Sequence, residues 1–253
     1  MVKTIAIVNQ KGGVGKTTTA VNLAAGIALA GRPTLLVDLD PQGNATTGLG
    51  VQKSGLYPTV YHVLIMSESA SKAIRDTSVA NLRLLPSDID LVGAEIELVG
   101  LERREHRLRL MLAEVVRAYD YVIIDCPPSL GLLTINALVV ADRVLVPLQC
   151  EFYSLEGLTH LLKTVKLVRE RLNPGLRVEG IVLTMFDGRT SLALQIRDEV
   201  QRYFPGVILE TVIPRNVRLT EAPSYGKPIM HHDLRSPGAI AYLELTREVL
   251  GHE

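Results

Sequence analysis

Gln10-Lys11-Gly12-Gly13-Val14-Gly15-Lys16-Thr17-Thr18 follows directly on the apolar run Ile5-Ala6-Ile7-Val8. The order reads as a strand, a glycine-rich loop and a helix, an arrangement that builds a cradle for nucleotide phosphates. Glycines let successive backbone N–H groups turn inward and approach an anion without interference from a Cβ. In such a cradle Lys16 reaches the β- and γ-phosphates, Thr17 ligates Mg²⁺, and the following helix points its positive end at the anion. The common form of this loop has glycine five residues before Gly15, where this chain has Gln10. An additional lysine, Lys11, opens the loop instead.

Outward from the loop, Thr17–Ala30 reads as a helix, with Gly31 at the position of a left-handed C-cap and Pro33 just beyond. Short apolar runs alternate with longer helical patterns along the rest of the chain. Strands are expected near Thr4–Asn9, Thr34–Asp38, Leu82–Pro86, Tyr121–Asp125, Arg143–Leu148, Val178–Thr184 and Val207–Val212. Helices are expected over Leu91–Val116 with a break near Gly100, and over Leu130–Ala141, Leu155–Leu172, Ser191–Phe204 and Pro237–Leu250. The strand candidates are apolar on both faces, as buried parallel strands are. The expected fold is α/β: a doubly wound, mostly parallel sheet flanked by helices. No repeat or linker divides the chain, so one domain over residues 1–253 is the economical expectation.

Bulk properties narrow the function. Lys+Arg and Asp+Glu both total 27, so the chain is no polycation and nucleic-acid binding requires a local patch. With 47 % hydrophobic residues and a mean hydropathy of +0.22, the chain has the composition of a well-cored globular protein. Cys126 and Cys150 have neither CxxC spacing nor histidines at metal-ligand intervals, and read as reduced thiols. A strand begins almost at the N-terminus and no run reaches the ~20 apolar residues of a membrane span. A cytoplasmic protein is expected.

Three carboxylates end strands. Asp38 and Asp40 lie in Leu35-Leu36-Val37-Asp38-Leu39-Asp40-Pro41-Gln42-Gly43-Asn44, two residues apart and so on one side of an extended chain. Asp125 ends Tyr121-Val122-Ile123-Ile124-Asp125 and is followed by Cys126-Pro127-Pro128-Ser129. Ligands of open α/β sheets sit at the carboxyl ends of strands, so all three acids are expected to face the phosphate loop. Thr17 directly and Asp125 through water make a reasonable Mg²⁺ shell. For Asp38 a structural role, at a strand end or as a helix cap, weighs as much as a metal role.

The runs KGGVGKTTT, DLDPQGNATTGLG, DCPPSL and PRNVRLTEAPSYGKPI resemble the ParA/Soj family of chromosome-partitioning ATPases, which carry the deviant Walker A loop. The likeness extends from Ile5 to the last helix and lacks the additional N-terminal helix-turn-helix domain of larger plasmid relatives. It implies an ATPase that forms a homodimer around ATP and Mg²⁺, with Lys11 reaching the phosphates bound by the other subunit. Gly12, Gly13, Val14, Gly15, Lys16, Thr17 and Thr18 would hold the phosphates. Asp40 would orient the attacking water, Asp125 would sense the γ-phosphate, and Pro214 and Asn216 would meet adenine. Met185 would pack on the ring or belong to the core. The resemblance further implies non-specific double-stranded DNA binding through Arg189 and Arg218, with Arg215, Lys227 and Arg235 near them in sequence. It also implies stimulation of slow hydrolysis by a ParB-type centromere-binding protein, and a nucleoid-associated location.

Two relatives of the same loop class are weaker matches. A MinD-like membrane-associated ATPase anchors through a basic C-terminal helix, whereas Ala239–Glu253 carries Arg247 and His252 against Glu244, Glu248 and Glu253. A nitrogenase-reductase-like protein needs two cysteines placed to share an iron–sulfur cluster across a dimer axis, and Cys126 and Cys150 lack that context. A metabolic phosphotransferase would need a substrate pocket that no motif here supplies.

Overall fold

A computed structural model describes residues 2–151 and 154–251. Eight strands form one sheet: β1 Lys3–Ile7, β2 Thr34–Asp38, β3 Arg75–Asp76, β4 Leu82–Leu85, β5 Tyr121–Asp125, β6 Arg143–Gln149, β7 Arg177–Phe186 and β8 Ile208–Pro214. Their order is β3-β4-β2-β5-β1-β6-β7-β8, and every pairing is parallel except β3 with β4. The expected doubly wound sheet is present. Its additional edge strand, β3, is two residues long and too short to leave a periodic signal.

Helices α1 Lys16–Leu29, α2 Asn44–Gly48, α3 Val60–Ile65, α4 Ala70–Ala73, α5 Leu91–Glu97, α6 Arg107–Leu112, α7 Leu132–Val140, α8 Ser154–Arg171, α9 Ser191–Tyr203, α10 Val217–Glu221, α11 Ile229–His232 and α12 Pro237–Gly251 surround it. The helix expected over Leu91–Val116 is corrected to α5 and α6 with 3₁₀ turns at Leu98–Gly100 and Arg104–His106. Gly100 and the left-handed Arg103, at φ 52°, break the continuous pattern. Between β8 and α11 lie the short α10 and a 3₁₀ turn at Ala222–Tyr225. Gly31 takes φ 84° just after α1, as a C-terminal cap requires.

The core has two layers. Alternate residues along β1 and the residue after it point to opposite sides, Ala6 and Val8 into one apolar cluster and Ile5 and Ile7 into the other. Helix α12 packs on α1 and beside β8. Contact with α1 is close at Gly26, where a Cβ would stand 2.2 Å from Thr246 Oγ1. Strand β1 sits between β5 and β6, where the winding direction of the sheet reverses. The glycine-rich loop leaves the carboxyl end of that strand, the position at which such sheets bind ligands.

Candidate nucleotide site

Backbone anchors set the shape of the loop. Asn9 Nδ2 donates to the Pro147 carbonyl (2.8 Å), and Asn9 Oδ1 accepts from the Lys11 N–H (3.0 Å). At the far end the Thr184 hydroxyl donates to the Val14 carbonyl (2.8 Å), tying the loop to β7. Gly13 and Gly15 take φ 74° and 86°, left-handed values that favour glycine. The first turn of α1 carries neither an acidic residue nor a side-chain cap, which leaves its N–H groups for an anion.

Lys16, Thr17 and Thr18 form the first turn of α1. Lys16 is 7 % exposed, and its Nζ donates to the Lys11 carbonyl (3.0 Å). Burial lowers the Lys16 pKa, while the charges of Asp125 and Asp40 oppose the shift. A buried ammonium under the influence of two acids is therefore ready to receive an anion.

Asp125 ends β5, in register with Ile7 of β1 and Asp38 of β2. Its carboxylate is fully buried, and neither oxygen accepts a hydrogen bond from the described residues. Burial raises its pKa well above the ordinary carboxylate range, reinforced by the charges of Asp38 and Asp40. The Thr17 hydroxyl and the Lys16 ammonium pull the other way. Buried polar atoms without partners call for a missing one. An orphaned carboxylate beside a threonine hydroxyl is a hard-oxygen donor set, and it fits Mg²⁺ held partly through water.

Asp38 takes the structural role that its sequence weighed equally with a metal role. Its Oδ2 accepts from the Thr46 N–H (2.8 Å) and hydroxyl (2.7 Å), and its Oδ1 accepts from the Asp40 N–H (3.3 Å). It holds the first turn of α2 in place, so the expectation that all three acids face the loop is corrected to Asp40 and Asp125. Burial nonetheless raises Asp38 to about 6, against the lowering effect of the Thr46 bonds. Asp40 lies nearly buried, with Oδ1 accepting from the Gln42 N–H (2.9 Å).

Lys11 is half exposed and forms an ion pair with Glu151, just beyond β6. No spacing in the sequence pointed to Glu151, because the contact joins segments 140 residues apart. Lys11 borders a groove of about 670 Å³ that also touches Asn9, Val14, Pro128 and Ser129. A smaller apolar cavity of about 150 Å³ opens behind the loop, lined by Gly15, Thr18, Met185, Pro214, Asn216 and Tyr242 among others. Asn216 Oδ1 is buried without a hydrogen-bond partner. Met185 takes φ 48°, a strained value for its residue type, where β7 ends at the cavity. Arg189 and Arg218 lie apart from this chemistry. Each is already paired with an acid, Arg189 with Asp187 (2.7 Å) and Arg218 with Glu221 (2.8 Å) and Asp233 (3.5 Å). The sequence signal of a basic patch omitted these acids.

Known proteins share this arrangement. The family model described as AAA domain matches residues 2–178. Over 249 residues the chain is 57 % identical to the sporulation initiation inhibitor protein Soj of Bacillus subtilis, covering 98 % of each chain. It is 54 % identical over 246 residues to the chromosome partitioning protein ParA of Myxococcus xanthus, covering 97 % of this chain and 87 % of that one. The chain belongs to the Soj/ParA family of chromosome-partitioning ATPases. A solved structure of cobyrinic acid a,c-diamide synthase from Mycobacterium smegmatis, with bound ADP and magnesium, shares the fold at a TM-score of 0.88. That likeness has 39 % identity and covers 100 % of this chain and 95 % of the other.

In this Soj/ParA chain the C-terminal helix is a packing element. Its Ala239, Ala241, Tyr242, Leu245 and Val249 are buried, and Tyr242 and Thr19 share a hydrogen bond of 3.1 Å. His252 and Glu253, counted in the charge of that helix, lie outside the described residues. Among the described residues no helix is long and apolar enough to cross a membrane. Cys126 is fully buried, and burial raises its thiol pKa well above the ordinary value. Cys150 is pushed up to about 11 by partial burial.

Proposed function

We propose that this single-domain Soj/ParA ATPase binds ATP with Mg²⁺, dimerises around it, coats DNA without sequence preference, and leaves the DNA on hydrolysis. The observation that carries the reading is the meeting of buried Lys16, nearly buried Asp40 and the unpartnered Asp125 carboxylate at the mouth of the glycine loop. Gly12 to Thr18 supply backbone N–H groups to the phosphates, and Lys16 neutralises β/γ charge. Thr17 and Asp125 hold Mg²⁺, which when bound supplies charge neutralisation of the phosphates. Asp40 orients the attacking water. Pro214 and Asn216 meet the base, where the unpaired Asn216 oxygen accepts from an exocyclic amine.

Lys11 acts on the nucleotide of the partner copy, as an arginine finger does. In the free chain Glu151 holds that ammonium in cis, and the exposed pair costs little to break. Arg189 and Arg218 exchange their intramolecular acids for phosphates. A dimer doubles such contacts, and ATP thereby controls DNA affinity. A ParB-type partner stimulates slow hydrolysis and resets the cycle, in the cytoplasm and on the nucleoid.

The test is DNA retention with ATP, ADP and a non-hydrolysable analogue, measured beside solution mass. Retention and doubled mass with ATP and the analogue, and neither with ADP, are expected. DNA binding independent of nucleotide contradicts the proposal.

A further inference from the structure

The turn that carries Asp40 is held from outside by one side chain. After β2 ends at Asp38, the chain reverses through Asp40-Pro41-Gln42-Gly43, and the Gly43 N–H donates to the Asp40 carbonyl (2.9 Å). Within the turn Asp40 Oδ1 accepts from the Gln42 N–H (2.9 Å). Among the described residues Oδ2 accepts no hydrogen bond, so that oxygen is the one left for a water.

Lys53, eleven residues after Gln42, meets this turn at two points. Its Nζ donates to the Gln42 carbonyl (2.7 Å). Its stem lies over Gly43, where a Cβ would stand 2.8 Å from Lys53 Cδ and 2.9 Å from the Ser87 carbonyl oxygen. Gly43 also takes φ 60°, so glycine serves both the backbone and the passage of the lysine. Gln42 is thus held at its N–H by Asp40 and at its carbonyl by Lys53.

The segment that presents Lys53 is itself fixed. The Val51 N–H donates to the Thr46 carbonyl in α2 (3.1 Å), and the Leu56 N–H donates to the Lys53 carbonyl (3.2 Å). Gly50, at φ 80°, packs on Gly226, whose own Cβ would stand 2.6 Å from Gly50 Cα. Lys53 also borders a cavity of about 540 Å³ together with Asp88 and Asp90. Among the described residues its ammonium pairs with neither carboxylate, and its hydrogen bond goes to the turn. An exposed ion pair there would add little, whereas an ammonium on a turn carbonyl fixes a geometry.

We infer that Lys53 is a positioning residue for hydrolysis: it pins Gln42, and Gln42 pins the Asp40 carboxylate in the orientation that receives the attacking water. The inference rests on the reading of Asp40 as the water-orienting acid, and it adds what holds that acid still. Reactions that depend on an oriented group lose rate on small displacements of it. Without the ammonium the turn keeps its backbone bond and its glycine, so the fold persists while the carboxylate samples unproductive orientations.

The test measures ATP hydrolysis with Mg²⁺ beside affinity for the non-hydrolysable analogue, solution mass with it, and thermal unfolding. Lys53→Met keeps the stem over Gly43 and removes the ammonium. Its kcat is expected to fall roughly three- to tenfold, the scale of one hydrogen bond, with KM, analogue affinity, mass and Tm close to unchanged. Lys53→Arg, which can still donate to the carbonyl, is expected to recover most of the rate. A full rate in Lys53→Met overturns the inference. So does a loss of analogue affinity or assembly that accounts for the lost rate, or a Lys53→Arg chain as slow as Lys53→Met. Asp40→Ala, run in parallel, separates the two readings. Hydrolysis at the unaltered rate in that chain means that the role of Asp40 fails, whereas an inactive Asp40→Ala beside a fully active Lys53→Met means that only the role of Lys53 does.

Discussion

Replacing Gly131 with alanine isolates the contact between α5 and the helix behind Asp125. Gly131 sits at φ −78° and ψ −169°, a conformation any residue adopts, so alanine adds no backbone strain. The new Cβ, however, would lie 2.4 Å and 2.7 Å from the two oxygens of Glu95 and 2.8 Å from its Cδ. The carboxylate must swing away, releasing the N–H groups of Leu132 and Leu133. Losing a cap of this kind costs about 0.5–2 kcal/mol, and losing a negative charge at a helix N-terminus about 0.3–1 kcal/mol more. Alanine also restricts the unfolded chain, a gain of about 0.4–1 kcal/mol that its poorer N-cap preference largely offsets. The net expectation is a loss of ~1–2 kcal/mol, or roughly 2–8 °C in Tm for a chain of this size. In a Glu95→Ala background the collision is gone, and Gly131→Ala becomes close to neutral. Denaturant and thermal unfolding of the four nucleotide-free proteins gives the coupling directly. An equal cost of Gly131→Ala in both backgrounds refutes the argument.

Lys16→Ala removes the ammonium closest to the proposed phosphate site, and nucleotide affinity by titration calorimetry is expected to fall by about 10- to 100-fold. Arg218→Glu is expected to abolish DNA retention while analogue-driven dimerisation persists; retained DNA affinity would move the patch elsewhere. Asp38 supplies a pH dependence. Its folded pKa of about 6 lies above the ordinary carboxylate value of about 3.9, so folding takes up a proton. Its contribution is present below about pH 4 and is lost as pH rises to about 6. Asp38→Asn is expected to flatten this part of the stability–pH profile of the nucleotide-free protein, and an unchanged slope would contradict it.

The central strands were legible because buried parallel strands are continuous apolar runs. Thr34–Asp38 and Tyr121–Asp125 have the same bounds in sequence and structure. The loop was legible because its glycines and Lys16 serve local geometry. Helix α5 and its neighbours were not, since residues 91–116 keep a helical pattern across Gly100 and Arg103, where the backbone departs from it. Asp38 shows a different limit. Strand spacing placed it beside Asp40, but Thr46, eight residues on, captures its carboxylate through a turn that periodicity does not describe. Glu151, Glu95 and the acids paired with Arg189 and Arg218 were invisible as partners for the same reason. Each acts through a contact whose geometry only the folded chain defines.

The sharing of Lys11 between two copies is tested most directly by mixing two inactive chains, Lys11→Ala and Lys16→Ala, and measuring ATP hydrolysis. A mixed dimer places an intact Lys11 from the Lys16→Ala chain against the nucleotide held by the Lys11→Ala chain. Recovery of hydrolysis on mixing, from parents with none, is the predicted result. A mixture as inactive as its components would mean that Lys11 serves its own nucleotide, and would contradict the account.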